Sequence, residues 1–486
     1  MLRFREIAAL ALAIGFLPGC STPAHVTPAP AAPLPAPGPA LPRAPGGGPL
    51  APAAPVEAPV RTVAVATLGA VGDVLMHEAV KRSAATYGRG AADDGFAFLY
   101  APVADLLSAA DLTFANLETP IAPGAGRGIR EYVFNAPPEA VRALAHAGVR
   151  VVGVANNHAF DQGREGFEET IAQLDALGMR HVGAGPAGRA AGPERFDVNG
   201  IRVAFLAYAH FFNQPGNACP PSGAGPCVQA SLLDRDRAVE EVRAAAATAD
   251  AVVVSLHWGD EYQTQPRTED VALAHRLAEA GALAVIGHHP HVLQPIELYR
   301  RADGSTAVIA YSLGNFVSNQ SRGYVFGATP DREALTRDGA LLRVAIARRD
   351  YGRGVQRVEL AGVDWLPLWT ENDTAEIDPR REPGRRPLIR VVSDDRALTA
   401  VRAELAAFPD PVPPARQAAY VALKRREALY LARRDAVGAV LGPELRRELS
   451  AAELAGPIAQ VAAPATSPSP RQAEAAAPSA TAPAAR

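Results

Sequence analysis

The stretch AVVVSLHWGDE at 251–261, with DVALAHRLAEA at 270–280 and LAVIGHHPH at 283–291, decides the fold. An apolar β-branched run, then apolar residues at helical spacing, then a second apolar run reads as strand, helix, strand. Buried strands joined through a helix make a parallel βαβ unit whose sheet is covered by helices. Both runs end in polar residues: His257 and Glu261 after the first, His288, His289 and His291 after the second. Open α/β sheets collect ligands at the carboxyl ends of their strands, so these endings are where chemistry is sought.

The alternation extends outward in both directions. Strand-like runs lie at Thr62–Leu68, Asp111–Ala115, Arg150–Ala155, Ile201–Tyr208 and Thr306–Tyr311, with helical patterns at 101–110, 138–147, 166–177, 233–247 and 270–280. Leu341–Ile346 and Arg357–Leu360 read as later antiparallel strands. The first strand closes on Gly72-Asp73, the second on Asn116-Leu117-Glu118, and the third on Asn156-Asn157-His158 with Asp161 beyond. Singly, each ending is weak: Gly-Asp suits a tight turn, and a histidine after an apolar run is more often a hydrogen-bonded core residue. His289-Pro290-His291 is stronger, because imidazoles two apart on a proline-stiffened extended segment project to one face. Five of the eleven histidines fall in these endings. Imidazole, carboxylate and amide oxygen together form the ligand set of Mn, Fe or Zn. One or two divalent ions and hydrolytic chemistry are expected.

The order GD, NLE, NNHxxDxG, HWGxE, GHHPH and YSLGNF, from about Val63 to Trp369, resembles the bacterial capsule-biosynthesis CapA family, linked to poly-γ-glutamate and related to calcineurin-like metallophosphatases. That resemblance implies an α/β fold of four layers, α/β/β/α. It implies Asp73 on one metal, Glu118 bridging, Asn157, His257 and His289 on a second, and His291 returning to the first. His158 would be the imidazole that stabilises charge or protonates a leaving group. Glu261 would be an extra ligand, a general base or a partner orienting His257. Two cations about 3.5–4 Å apart activate a water and clamp both oxygens of a displacement. The match departs in two places. Leu75 stands where metallophosphatases carry a histidine, leaving His77 as a substitute only if the loop turns back, and Glu118 replaces Asp. His288 is not counted as a ligand.

The chain's ends and charge bound the rest. Arg3 and Arg5 precede a short apolar run and Leu17-Pro18-Gly19-Cys20, a signal peptide (1–19) whose last residues resemble a lipoprotein box with Cys20 as the lipidated residue. Thirteen prolines crowd 21–60, so 20–60 is expected to be an extended tether. Residues 61–390 form the CapA-like domain, 391–454 a helical extension with an amphipathic basic stretch at 416–434, and 455–486 a disordered tail. The protein is expected outside the cytoplasm, anchored by lipid to the envelope on its periplasmic side, with the outer membrane as an alternative. Cys219 and Cys227 remain as an even pair in an exported chain and read as a disulfide, which stabilises by about 2–3 kcal/mol. Tyr208–Phe212 with this loop is either a lid or a packed covering segment, and Arg127 and Arg130 either meet an anion or are simply solvated. A net charge of −3 without a basic run weighs against nucleic acid. The expected partners are an anionic polymer or a phosphoester, and a membrane synthase or export complex. The alternatives are a non-catalytic polymer-binding factor and a general periplasmic phosphoesterase.

Overall fold

The computed structural model describes residues 60–90, 93–125, 132–186, 192–219 and 227–445. Cys20, the signal segment, the tether up to residue 59, Arg127, Arg130 and everything beyond 445 lie outside the described residues.

The chain runs through β1 (Arg61–Val74), α1 (Glu78–Tyr87), α2 (Ala97–Tyr100), α3 (Ala104–Ser108), β2 (Leu112–Asn116), α4 (Pro138–His146), β3 (Val149–Gly153), α5 (Gly163–Ala176) and β4 (Arg180–Val182). It continues through β5 (Ala184–Pro186), β6 (Glu194–Val198), β7 (Ile201–Ala209), β8 (Val228–Ala230), α6 (Arg235–Ala246), β9 (Ala251–His257), α7 (Thr268–Glu279), β10 (Ala282–His288), β11 (Leu293–Arg300) and β12 (Thr306–Leu313). β13 (Asn315–Val317), β14 (Asp338–Asp350), β15 (Gln356–Asn372), β16 (Ile389–Ser393), α8 (Asp394–Ala406) and α9 (Gln417–Leu441) follow. The helix expected over 101–110 starts instead as a 3-10 turn at Ala101–Val103, where Pro102 has no N–H to give an α-helical bond.

Two sheets carry the fold. One has the order β16-β15-β14-β1-β2-β3-β4 with β13 paired to β1, and the other has β11-β12-β10-β9-β7-β6. Alternation along each strand assigns its two faces. Ala66, Leu68, Ala70, Phe114, Phe205, Val253, Ile286, Val308 and Leu342 share one buried cluster between the sheets. Val71, Ala115 and Val152 point the other way, against Leu99, Leu144, Phe167 and Leu174 of the helices. Leu206, Val254 and Val285 turn outward beneath Val239 and Val242 of α6 and Leu273 and Leu277 of α7. Helices, sheet, sheet, helices is the four-layer α/β/β/α sandwich that the resemblance implies.

This arrangement brings the carboxyl ends of parallel strands from both sheets to one place. β1 and β2 place Asp73 beside Asn116. β1 and β13 place Asp73 beside Asn315. β9 and β10 place His257 beside His288. The β1–β13 approach is possible only without side chains at the crossing: a Cβ on Gly72 would sit 1.9 Å from the Gly314 carbonyl oxygen.

The expected boundary at 390/391 falls inside β16, which pairs with β15 and so belongs to the first sheet. The basic stretch at 416–434 lies in α9, whose buried residues are Tyr430, Arg433, Val437, Gly438 and Leu441. Arg433 donates to both carboxylate oxygens of Asp338, at 3.1 and 3.0 Å. That buried pair ties the C-terminal helix to the start of β14. No helix among the described residues is long and apolar enough to cross a membrane.

Candidate metal centre

Glu118 follows β2 by two residues and is fully buried, yet neither carboxylate oxygen has a hydrogen-bond partner. Three imidazoles surround it. His257 Nε2 lies 3.4 Å from Glu118 Oε1, His291 Nε2 lies 3.8 Å away, and His158 Nε2 lies 4.0 Å away. Glu118, His257 and His289 present one donor atom each within 4.8 Å of one another, and so do Asp73, Glu118 and His291. Glu118 is the residue common to both sets.

Hydrogen bonds fix which atom each side chain presents. The Thr336 carbonyl accepts from Asn315 Nδ2 at 2.8 Å, so Asn315 Oδ1 faces His291 Nδ1 at 3.1 Å. His291 Nδ1 therefore carries the proton, and Nε2 keeps a lone pair facing Glu118. His158 Nδ1 lies 2.8 Å from Asp161 Oδ2, which also accepts the Phe134 N–H at 2.7 Å. Here too Nε2 is left facing the site. Asn157 Oδ1 lies 2.9 Å from His257 Nε2. Phe211 packs edge-on against the His289 ring, with centroids 5.3 Å apart, so the segment after β7 covers the site with an aromatic side chain.

Asp73 differs from Glu118. Its Oδ1 accepts from Asn116 Nδ2 at 2.8 Å and lies 3.3 Å from His288 Nδ1. Its Oδ2 accepts the His289 N–H at 3.3 Å and faces His291 Nδ1 at 3.2 Å. Burial alone would raise the Asp73 carboxyl, but the His288 and His291 imidazoles outweigh it and hold the group well below its ordinary value. Glu118 moves the opposite way, raised by burial and then by the Asp73, Glu261 and Asp161 charges. His257 is lowered by burial and by the neighbouring His289. His289 is lowered to about 3, by burial and then by His291. The neutral His257 and His289 imidazoles beside the unpaired Glu118 carboxyl are donors prepared for a cation.

The separations fit that role. Two ligands about 2.0–2.1 Å from one tetrahedral ion stand about 3.3 Å apart, against 3.4 Å for Glu118–His257, while Asn157 and His257 are hydrogen-bonded at 2.9 Å. Orphaned polar atoms supply the second test, because Glu118 Oε1 and Oε2 and His289 Nδ1 are all buried without partners. Glu118, His257, His289 and Asn157 would hold one divalent ion. Asp73, Glu118 and His291 would hold another.

A family profile described as "Bacterial capsule synthesis protein PGA_cap" matches residues 67–320, just over half of the chain. The chain belongs to the PGA_cap family. The PGA_cap protein is 31% identical over 275 residues to a "Capsule biosynthesis protein CapA" of Bacillus anthracis, covering 52% of this chain and 60% of that relative. It is 32% identical over 289 residues to a "PGA biosynthesis protein CapA" of Bacillus subtilis (strain 168), covering 58% and 68%. A "Probable polyglutamine synthesis accessory protein" of Mycobacterium tuberculosis is 32% identical over 210 residues, covering 40% and 53%. The chain thus spans about 60–68% of the Bacillus relatives' own length. Among solved structures, TT1561 of Thermus thermophilus aligns with a TM-score of 0.29 and 11% identity, over 61% of this chain and 99% of that one. The layering rests on the sheet order alone.

All six expected ligands of the PGA_cap protein, Asp73, Glu118, Asn157, His257, His289 and His291, meet at this centre, with His158 beside it. Glu261 is exposed at the mouth, where it forms a further cluster with His289 and His291. His77 does not turn back to Asp73. Its Nδ1 accepts the Asn319 N–H at 3.2 Å, and Leu75 is buried in the wall. Three participants were not expected. His288 is fully buried and points at Asp73 instead of away from it. Asn116 and Asn315 lie inside recognised motifs, NLE and YSLGNF, as the residues that orient Asp73 and His291. Cys219 and Cys227 are joined by a disulfide.

Proposed function

We propose that this PGA_cap protein serves the synthesis, export or anchoring of poly-γ-glutamate or a similar anionic envelope polymer, as a metal-dependent hydrolase acting on a phosphoester or, less readily, an amide. The single observation behind this reading is Glu118, a buried carboxylate without partners between two histidine-containing donor sets. A divalent cation held there supplies Lewis acidity to the bond being broken. The chain's own residues do the rest. Asp73 and Asn315 hold the His291 ring with Nε2 forward. Asp161 holds the Nδ1 proton of His158, so that Nε2 is free to take or give a proton beside the substrate. Phe211 and Leu75 keep apolar surface against the centre and exclude water from its flanks. The printed names of the Bacillus relatives support the polymer, and the accessory role named for the mycobacterial relative supports work alongside a membrane synthase. Export and lipidation at Cys20 belong to the same proposal.

The test is metal analysis of protein purified without chelators, with hydrolysis assays on nitrophenyl phosphates and on γ-linked polyglutamate. Two equivalents of Mn, Fe or Zn, lost together with turnover in His289→Ala/His291→Ala, are expected. Turnover retained in that double variant overturns the mechanism. A second reading, a polymer-binding factor without catalysis, is favoured by Leu75 and by the engagement of both Asp73 oxygens. Polymer binding by a metal-loaded protein that hydrolyses neither substrate supports it.

A further inference from the structure

Beside the metal centre lies a cavity of about 410 Å³ whose lining includes His77, His158, Glu261, Gln320, Arg332 and Thr336. Its far wall, from Ser321 to Thr336, lies beyond the residues matched by the family profile. We propose that this cavity is a subsite for a carboxylate group of the substrate, held by Arg332 and Gln320 beside His77. The proposal rests on the polymer reading above and assigns the part of the site that would recognise it.

The polarity of the wall follows from hydrogen bonds behind it. The Thr336 carbonyl fixes Asn315 Nδ2, whose other proton goes to Gln320 Oε1 at 2.8 Å. The acceptor end of Gln320 is thereby used, and its Nε2 has no acceptor among the described residues. His77 Nδ1 lies 3.2 Å from the Asn319 nitrogen and 3.3 Å from the Leu75 carbonyl oxygen, so Nδ1 is spent on backbone and Nε2 is the ring atom left for the cavity. Arg332 has no acidic partner among the described residues, and a guanidinium has only donors to offer. Gln320 Nε2 and Arg332 thus present donors alone, and such a wall needs a ligand that accepts.

Charge narrows the class. Burial and the surrounding charges lower His77 to about 4, so it stays uncharged. Arg332 then brings a guanidinium to the cavity lining, and its planar fork of donors matches a planar carboxylate. The geometry is also maintained against backbone preference. Tyr132, Tyr262, His289, His291 and Ser321 all have positive φ, between 52° and 96°. Non-glycine residues in that region are strained and cluster where a ligand is clamped. Five of the eight such residues among those described belong to this cavity or to the ligand set beside it.

The experiment measures binding of γ-L-glutamyl-L-glutamate, of its fully amidated counterpart and of inorganic phosphate to the full chain. Wild type, Arg332→Gln and His77→Gln are compared by calorimetry, with metal content and melting temperature recorded for each. Wild type is expected to bind the acid at least tenfold more tightly than the amide. Arg332→Gln should bring the acid down to the level of the amide, with metal content and melting unchanged, whereas His77→Gln, which still offers an N–H, should largely keep the preference. Equal binding of acid and amide by wild type, or acid affinity within twofold in Arg332→Gln, overturns the subsite. Arg332-dependent phosphate binding tighter than that of the acid overturns the carboxylate assignment. If metal and turnover are absent but the Arg332-dependent preference holds, the hydrolase reading falls and the subsite stands. If metal and turnover hold without the preference, only the subsite falls.

Discussion

Asn315 Oδ1 accepts from His291 Nδ1 across 3.1 Å, while Asn315 Nδ2 is spent on the Thr336 carbonyl. One asparagine at the start of β13 thus sets the tautomer of a candidate ligand contributed by the other sheet. Groups of this kind behind a ligand are worth roughly 10–100-fold in metal affinity. Asn315→Leu should therefore weaken metal binding by about that factor while leaving Asp73, Glu118, His257 and His289 in place. Competition with a chelator of known affinity measures it. Unchanged affinity would mean that His291 is oriented by Asp73 alone.

Glu118 gives a prediction of opposite sign for stability and for binding. Without a cation, its carboxylate is buried and unpaired, a state that costs several times what an isosteric amide costs. Burial raises the group above its ordinary value, so the cost is small below that ordinary value and grows as pH rises through the folded value. In chelator, Glu118→Gln should be more stable than wild type by about 1–3 kcal/mol at pH 8, with the difference shrinking toward pH 4. On adding Mn or Zn, wild type should gain stability and the variant should not. Urea denaturation with and without metal reads both effects. A Glu118→Gln protein less stable in chelator would mean that the carboxylate has partners the structure lacks.

Much of this centre was legible because parallel strands leave a readable mark: an apolar run that stops abruptly at Asp, Asn, Glu or His. Asp73, Asn157, His257 and His289 were found that way. His288 was not, because the last residue of a buried strand points inward or outward according to parity, and neighbouring histidines give no sign of it. Pairing with His257 across β9 and β10 settles the direction. Asn116 and Asn315 stand in conspicuous motifs, but an amide reads as a turn residue until the carboxylate or imidazole it orients is known. The wall from Ser321 to Thr336 left no periodic signal, since it is loop and 3-10 turn held by buried contacts such as Arg433–Asp338. β16 was missed for a similar reason: five residues at a sheet edge carry too little pattern to separate them from the helix that follows.

His77 predicts a pH dependence. Burial lowers it from 6.5 to about 4, so between those values the unfolded chain takes up a proton that the folded protein refuses. The stability it contributes is complete above pH 6.5 and is lost as pH falls toward 4. Between pH 8 and pH 5 this amounts to about 2 kcal/mol. His77→Gln can still accept the Asn319 N–H and does not titrate, so its loss over the same interval should be smaller by about 2 kcal/mol. Parallel urea titrations of the two proteins at both pH values measure the difference. Equal losses would mean that the His77 ring takes up its proton as readily in the folded protein as in the unfolded chain.

The crossing of β1 and β13 makes the last prediction. Asp73 and Asn315 are register partners only because Gly72 lets the Gly314 carbonyl approach to where a Cβ would stand, 1.9 Å away. The obstacle is backbone on both sides, so no side-chain rotation relieves it. Gly72→Ala should cost about 3 kcal/mol, at the upper end for overpacking. Since the strain is relieved by moving β13 away from β1, the hydrogen bond from Asn315 to His291 should lengthen with it. Metal affinity should fall in Gly72→Ala by a factor similar to that in Asn315→Leu, although alanine at 72 touches no ligand. Denaturation and chelator competition on the same preparation check both halves. A destabilised variant that keeps wild-type metal affinity would show that the two strands do not move together and that His291 takes its orientation from its own sheet.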